Sequence, residues 1–272
     1  MGSAKFRQTF NLEDFIRPSR QCWQNAHHWL FKRGVVLISN ELDKDPKTVS
    51  KMFDDISPTY DVLNHILSMS VDVGWRNQAL DELSPGQGEV ILDIATGTGD
   101  MALLAHKRTG CEVVGVDISR KMIEVAVNKW SERYPGDGYS AIEGDALHLP
   151  FPDGTFGSAM VAFGIRNMVE MGSFLDEVRR VLKKDGRLAI LEFSVPSYPV
   201  VKQIYLAYLT KMLPFIGGLQ SGNRTAYDYL SHSIRKFPSP SSMEQLFEEH
   251  GFIVKRSIPQ TMGISHLYVL GK

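Results

Sequence analysis

From about residue 90 onward, short apolar runs alternate with longer stretches of helical spacing. The runs are Val90–Ala95, Glu112–Val116, Tyr139–Glu143, Phe156–Ala162 and Arg187–Phe193. Between them lie Asp100–Arg108, Ser119–Tyr134 and Ser173–Leu182, the second with Met122, Ile123, Val125, Ala126 and Trp130 on or near one face. Lys183-Lys184-Asp185-Gly186 stops the third. Strands buried on both faces read as near-continuous apolar runs. Their alternation with helices predicts a parallel sheet, helices on both faces and right-handed crossovers. Upstream, Lys47–Leu83 reads as three helices. Val49, Met52, Phe53 and Ile56 open the first, Ser57-Pro58 breaks it, a short one starts at Tyr60, and Asp72–Leu83 is closed by Ser84-Pro85-Gly86. After Phe193 the rhythm changes. Residues 197–237 are helical and rich in tyrosine, and Ser239-Pro240-Ser241-Ser242 caps a helix ending at His250-Gly251. Phe252–Ile258 and Ser265–Leu270 then predict two strands whose link is too short for a crossover helix, so they pair antiparallel. Seven strands with an antiparallel end is the expected sheet.

Composition narrows the class more than it names a function. A chain of 272 residues suits one large domain with additions, and 43% apolar with 22% charged residues is ordinary for a globular protein. The net charge of −1 leaves no basic footprint for nucleic acid. Cys22 and Cys111 match neither a disulfide framework nor a metal-ligand spacing, so no metal site is expected. No apolar run reaches the length of a membrane span, because Lys211 and Pro214 interrupt Ile204–Leu219. Residues 1–45 are basic and rich in Trp, His and Arg, without the apolar core of a secretory signal; they read as an extension of unknown role, and 46–272 as the main domain.

The chemistry concentrates where the first strand ends, in Thr96-Gly97-Thr98-Gly99-Asp100. Glycines there permit a sharp turn and let a ligand approach the backbone, and the helix that follows offers its N-terminus. Gly97-x-Gly99-x-x-Ala102 also satisfies the dinucleotide fingerprint. Asp117, after strand two, stands where a carboxylate accepts from ribose hydroxyls, which suits either a nicotinamide dinucleotide or an adenosyl cofactor. An acid after strand three, in Gly144-Asp145-Ala146-x-x-Leu149-Pro150-Phe151, is placed to accept from an adenine amino group, with the Ala146 amide beside it.

This block resembles the class I S-adenosylmethionine-dependent methyltransferases. Further stretches sharpen the likeness: Met52-Phe53-Asp54-x-Ile56-x-Pro58-x-Tyr60-Asp61-x-Leu63-Asn64-His65, Asp93-Ile94-Ala95-Thr96-Gly97-Thr98-Gly99-Asp100, Ala162-Phe163-Gly164-Ile165-Arg166-Asn167 and Tyr229-Leu230-x-x-Ser233-Ile234-x-x-Phe237-Pro238. From about Lys47 on, the chain is similar to the ubiquinone/menaquinone biosynthesis C-methyltransferases. The resemblance implies a Rossmann-like α/β fold, a seven-stranded, mostly parallel sheet with an antiparallel final strand. It also implies methyl transfer from S-adenosylmethionine to a ring carbon of a polyprenylated quinol. The form of the Ser57–Ser68 stretch leans toward the menaquinone branch. Ala162 and Gly157 depart from the family, which has a serine in some members and an aspartate at those positions.

Carried across by motif, Gly97, Thr98, Gly99, Asp117, Ile118, Asp145, Ala146 and Ala162 would form the cofactor site. Arg166 would be a fixed cation beside the methyl, favouring a phenolate, or else only an ion pair. Asn167 would orient the quinol oxygen or cap the next helix. Tyr60 would help remove the ring proton or pack half-buried; His65 reads as structural. The aromatic stretch Tyr205–Ile216 is helix core or the lining of a cleft for an isoprenoid tail at a bilayer surface. The expected setting is cytoplasmic, or an organellar matrix, with peripheral membrane attachment and a homodimer or biosynthetic complex as possible assemblies. The competing readings are an NAD-dependent oxidoreductase, a methyltransferase of another small molecule, and a non-catalytic cofactor-binding partner.

Overall fold

The computed structural model of the chain describes residues 45–57, 68, 71–136, 138–212 and 224–272. Tyr60, His65 and the short helix read there, the extension apart from Asp45, and part of the 197–237 segment lie outside these residues.

Helix α1 (Pro46–Ile56) starts with proline at its first position, where no amide partner is needed, and Asp45 accepts the Thr48 amide at 3.2 Å as its cap. Helix α2 (Asp72–Leu83) buries Trp75, Ala79, Leu80 and Leu83 and ends at Ser84, in the left-handed conformation. The alternating core follows as β1 (Val90–Ile94), α3 (Asp100–Thr109), β2 (Glu112–Asp117), α4 (Arg120–Arg133), β3 (Tyr139–Glu143), β4 (Phe156–Ala162), α5 (Met171–Val181) and β5 (Leu182–Phe193). Of the face read on α4, Met122, Ala126 and Trp130 are buried and Ile123 and Val125 half-buried; α5 buries Phe174, Leu175, Val178 and Val181. Beyond β5 come α6 (Pro199–Ala207), a π-helical turn over Tyr208–Met212, α7 (Arg224–Lys236), α8 (Pro240–Glu249), β6 (Ile253–Gln260) and β7 (Ser265–Gly271).

The strands form one sheet in the order β3-β2-β1-β4-β5-β7-β6. The pairs β3–β2, β2–β1, β1–β4 and β4–β5 are parallel, and β7 is antiparallel to both β5 and β6. The antiparallel end is as expected. Its arrangement was not given by chain order, because β7 lies between its predecessors. Among the boundaries that differ, the start of β5 moves most. Lys183-Lys184-Asp185-Gly186 belongs to β5, where Leu182 pairs with Phe156 and Arg187 with Ser158, so the intervening residues bulge out of register.

The chain runs outward from β1 through β2 to β3, then returns to β4 on the other side of β1. The strand order therefore reverses between β1 and β4, and ligands of open α/β sheets bind at such a point, beyond the carboxyl ends of the strands.

Candidate functional site

At that reversal the backbone is forced into uncommon shapes. Ala95, just after β1, has φ 53°, and Phe163, just after β4, has φ 61°. Non-glycine residues rarely adopt the left-handed region, and such strain gathers at binding sites. Gly164 sits between them. A Cβ there would lie 2.6 Å from that of Ala95, so only glycine lets the two strand ends close up. Phe163 is held from below by a stacked Phe193 at 4.5 Å and by the Arg76 guanidinium at 5.2 Å from the ring centroid.

A cleft of ≈ 750 Å³, its open mouth included, lies over these ends. Val49 and Phe53 of α1, Gly97, Asp117, Ile118 and Met122, Asp145, Ala146 and Leu147, and Phe163, Asn167 and Met168 are among its lining residues. The glycine turn is tied to the acid after β2: the Gly97 amide donates to Asp117 Oδ2 at 2.8 Å, and the Ser119 amide to Oδ1 at 2.8 Å. Each carboxylate oxygen keeps a further lone pair for a ligand. Burial pushes the Asp117 carboxyl up to about 6, against the pull of the Ser119 and Gly97 amides. Asp145 accepts the Leu147 amide at 2.9 Å and faces the exposed His148 ring at 3.4 Å. Helix α5 pins this loop. Glu177 accepts the Leu149 amide, while Arg180 donates to the Leu149 and Phe151 carbonyls.

Beneath the glycine turn lies a second buried acid. The Thr96 hydroxyl donates to Asp93 Oδ2 at 2.6 Å and lies 3.2 Å from the Tyr139 hydroxyl. Burial raises Asp93 to about 7, with Thr96 and then Arg76 opposing the shift.

Of the residues singled out from sequence, Gly97, Asp117, Ile118, Asp145, Ala146 and Asn167 come together on the cleft. Thr98, Gly99 and Ala162 are not among its lining residues. Thr98 is buried, and Gly99 caps α3 in the left-handed conformation, where a Cβ would meet that of Ala126 at 2.9 Å. Gly99 thus lets the turn pack closely on α4, while Ala162 is the last residue of β4.

Arg166 departs most from expectation. It is 5% exposed, and its Nη1 donates to Glu192 Oε1 at 2.7 Å and to the Phe163 carbonyl at 2.5 Å. Glu192, 1% exposed, also accepts the Arg166 and Phe193 amides. The charge is paired in the interior, where the sequence reading offered a cation beside the methyl or an ion pair, and the pair ties the turn that carries Asn167 to β5. Glu192 lies 26 residues away in the chain, and no spacing rule could have joined the two. Tyr229 of α7 donates to Asn167 Oδ1 at 3.1 Å, tying α7 to the cleft. The wall residues Val49, Phe53, Phe163 and Met168 were missed as ligand neighbours, although Phe53 and Phe163 stand within the quoted motifs.

Among the described residues no helix is long and apolar enough to cross a membrane, and no group of His, Cys, Asp and Glu could hold a metal.

Comparison with known proteins agrees with this geometry. The chain is 42% identical over 219 residues to a demethylmenaquinone methyltransferase of Thermus thermophilus, covering 80% of this chain and 98% of the relative. It is 39% identical over 231 residues to a ubiquinone/menaquinone biosynthesis C-methyltransferase of Geotalea uraniireducens, covering 84% and 98%. A crystal structure of an S-adenosylmethionine-dependent methyltransferase from Aquifex aeolicus shares the fold, with a TM-score of 0.54, 18% identity and coverage of 84% and 98%. Residues 41–271 match the ubiE/COQ5 methyltransferase family. The strand-end acids, the glycine turn and these matches together make the chain a member of that family and an S-adenosylmethionine-dependent methyltransferase.

Proposed function

We propose that the protein methylates a ring carbon of a polyprenylated quinol, with S-adenosylmethionine as donor. The observation that carries this reading is the two-sided character of the cleft. Its β2 and β3 end sets the Asp117 and Asp145 carboxylates among apolar side chains such as Ile118 and Met122, and its β4 end presents Phe163, Met168, Val169 and Asn167, with no carboxylate among them. The relatives named for quinone biosynthesis support the substrate class.

The residues fit the cofactor. Asp117 would accept from the ribose hydroxyls and Asp145 from the adenine amino group, with the Ala146 amide donating beside it. Ile118 and Met122 cover the base, and Gly97 lets the backbone approach the amino-acid end. When bound, S-adenosylmethionine supplies an electrophilic methyl and one positive charge. The protein's own part is alignment and exclusion of water. A phenol with a pKa of about 10 is a weak carbon nucleophile until its oxygen carries negative charge. Asn167, oriented by Tyr229, donates to that oxygen, and the Arg166–Glu192 pair keeps Asn167 in place. Tyr60 remains a proposed participant in removal of the ring proton.

An isoprenoid tail keeps such a substrate in a bilayer, and we extend the reading to peripheral attachment. Tyr198, Val200, Ile204 and Met212 are 65%, 69%, 66% and 56% exposed on α6 and the turn after it. Met262 is 67% exposed in the β6–β7 turn, which is joined to the start of this segment where Ser194 Oγ donates to the Gly263 carbonyl at 2.7 Å. Between Phe193 and Met212 the charged residues are Lys202 and Lys211, both cations. Apolar side chains flanked by lysine suit an anionic bilayer interface.

The test is incubation with methyl-labelled S-adenosylmethionine and, separately, short-tailed demethylated naphthoquinol and benzoquinol. Label is expected on a ring carbon of one of them. Cofactor binding without transfer to either quinol would overturn the substrate assignment.

A further inference from the structure

Helix α1 reaches across to the turn after β2. Asp54 Oδ1 accepts the Ser119 hydroxyl at 2.6 Å and the Lys121 amide at 3.3 Å. From the same helix, Ser50 Oγ donates to the Ile118 carbonyl at 3.1 Å. The first amides of a helix have no partner within it. At the start of α4, Ser119 Oγ takes the Met122 amide and Asp54 takes that of Lys121, so the cap is completed by a carboxylate from another helix. The same Ser119 gives its own amide to Asp117 Oδ1. Two hydrogen bonds through one residue therefore connect Asp54 to the carboxylate on the cleft. Asp54 itself is not among the residues lining it, whereas Val49 and Phe53 of its helix are.

We propose that Asp54 is a cofactor-positioning residue: by gripping Ser119 and the start of α4, it fixes the Asp117 turn and keeps α1 seated as a wall of the adenosyl pocket. This rests on the reading that the cleft holds S-adenosylmethionine. It assigns a role to a residue that touches no cofactor. Without the grip, Asp117 remains but its turn and the α1 wall loosen together, and the loss falls chiefly on the rate at which ligand leaves. The requirement is for a hydrogen-bond acceptor, so asparagine can serve where alanine cannot.

The experiment measures S-adenosylhomocysteine binding to the full chain by calorimetry, and its release by stopped-flow displacement. Asp54→Ala is expected to speed release about tenfold, with Kd following. Asp54→Asn is expected to stay within about threefold of the unsubstituted protein, and Asp54→Ala made on top of Ser119→Ala to add much less than it does alone. Wild-type release from Asp54→Ala, or equal damage by Asn and Ala, overturns the proposal. Circular dichroism without ligand monitors folding. Should Asp54→Ala not fold, the proposal requires Asp54→Asn to bind like wild type and Ser119→Ala to release faster, and the opposite pattern overturns it. Absence of binding to the unsubstituted chain would instead refute the cofactor reading, and this role with it.

Discussion

The two ends of the cleft are built by different means. At the β1–β3 end each acid is held by named hydrogen bonds: Asp93 by Thr96, Asp117 by Gly97 and Ser119, Asp145 by Leu147. At the β4 end the wall is Phe163, Met168 and Val169, and α6 beyond it shows apolar side chains outward. A polar ligand of fixed shape demands placed donors and acceptors, because an unmatched buried polar group is costly. A long apolar ligand demands only area, and area is tolerant of exchange. The first end should therefore fail sharply under single substitutions, and the second gradually.

The sharpest break should come from Asp117→Ala. It removes the acceptor for two hydroxyls at about 1.5–3 kcal/mol each, so calorimetry should show cofactor affinity falling by roughly a thousandfold. An unchanged Kd would erase the distinction between the two ends. Arg166→Ala tests the join between them. It strands Glu192 in the interior, and removing one partner of such a pair typically costs about 3–5 kcal/mol of stability, readable by urea unfolding. Arg166→Met with Glu192→Leu should recover only part of that loss, because the Arg166 and Phe193 amides lose their acceptor, whereas a lone catalytic cation would lose turnover at constant stability. On the apolar side, Val200→Asp with Ile204→Asp should lower co-sedimentation with anionic vesicles by about tenfold and leave cofactor affinity unchanged.

The smallest effect is that of pH, and its sign separates stability from function. Burial raises Asp93 and Asp117 to about 7 and about 6, above their ordinary unfolded values, so the folded state binds more protons than the unfolded one between about pH 4 and 7. Their contribution to the stability of the ligand-free protein therefore grows as pH falls through this window. With the Asp117 carboxylate as the proposed ribose acceptor, cofactor affinity is expected to decline as pH drops through about 6. Melting temperature and Kd measured from pH 7.5 to 5.5 should show the ligand-free protein holding or gaining stability through this pair of acids while it binds less tightly. Parallel losses of both would contradict it.

The same contrast explains what could be read from sequence. Asp117 and Asp145 bond to amides two residues on, so their roles are local and visible in a motif. Strand ends and helix faces follow from periodicity, and all five predicted parallel strands are present. The grip of Asp54 on Ser119 spans 65 residues and that of Arg166 on Glu192 spans 26, and a motif records neither. The positive φ of Ala95 and Phe163 was hidden too, since nothing in an alanine or phenylalanine announces a left-handed backbone. The aromatic stretch Tyr205–Ile216 has the same period whether it faces a core or a bilayer, so sequence left both readings open; among its described residues Tyr205 and Leu209 are buried in the core and Met212 is exposed.

The placement of β7 carries a consequence for synthesis. This strand is made after β6 yet lies inside it, paired with β5 along its whole length and buried throughout. A ribosome that has delivered β5 leaves the Leu188–Phe193 edge bare until residues 265–271 emerge. For that interval the nascent chain carries an open, apolar ladder of the kind that pairs with strangers. Chains halted before Ser265 should consequently aggregate rather than persist as slightly shortened enzymes, however intact their cofactor loops.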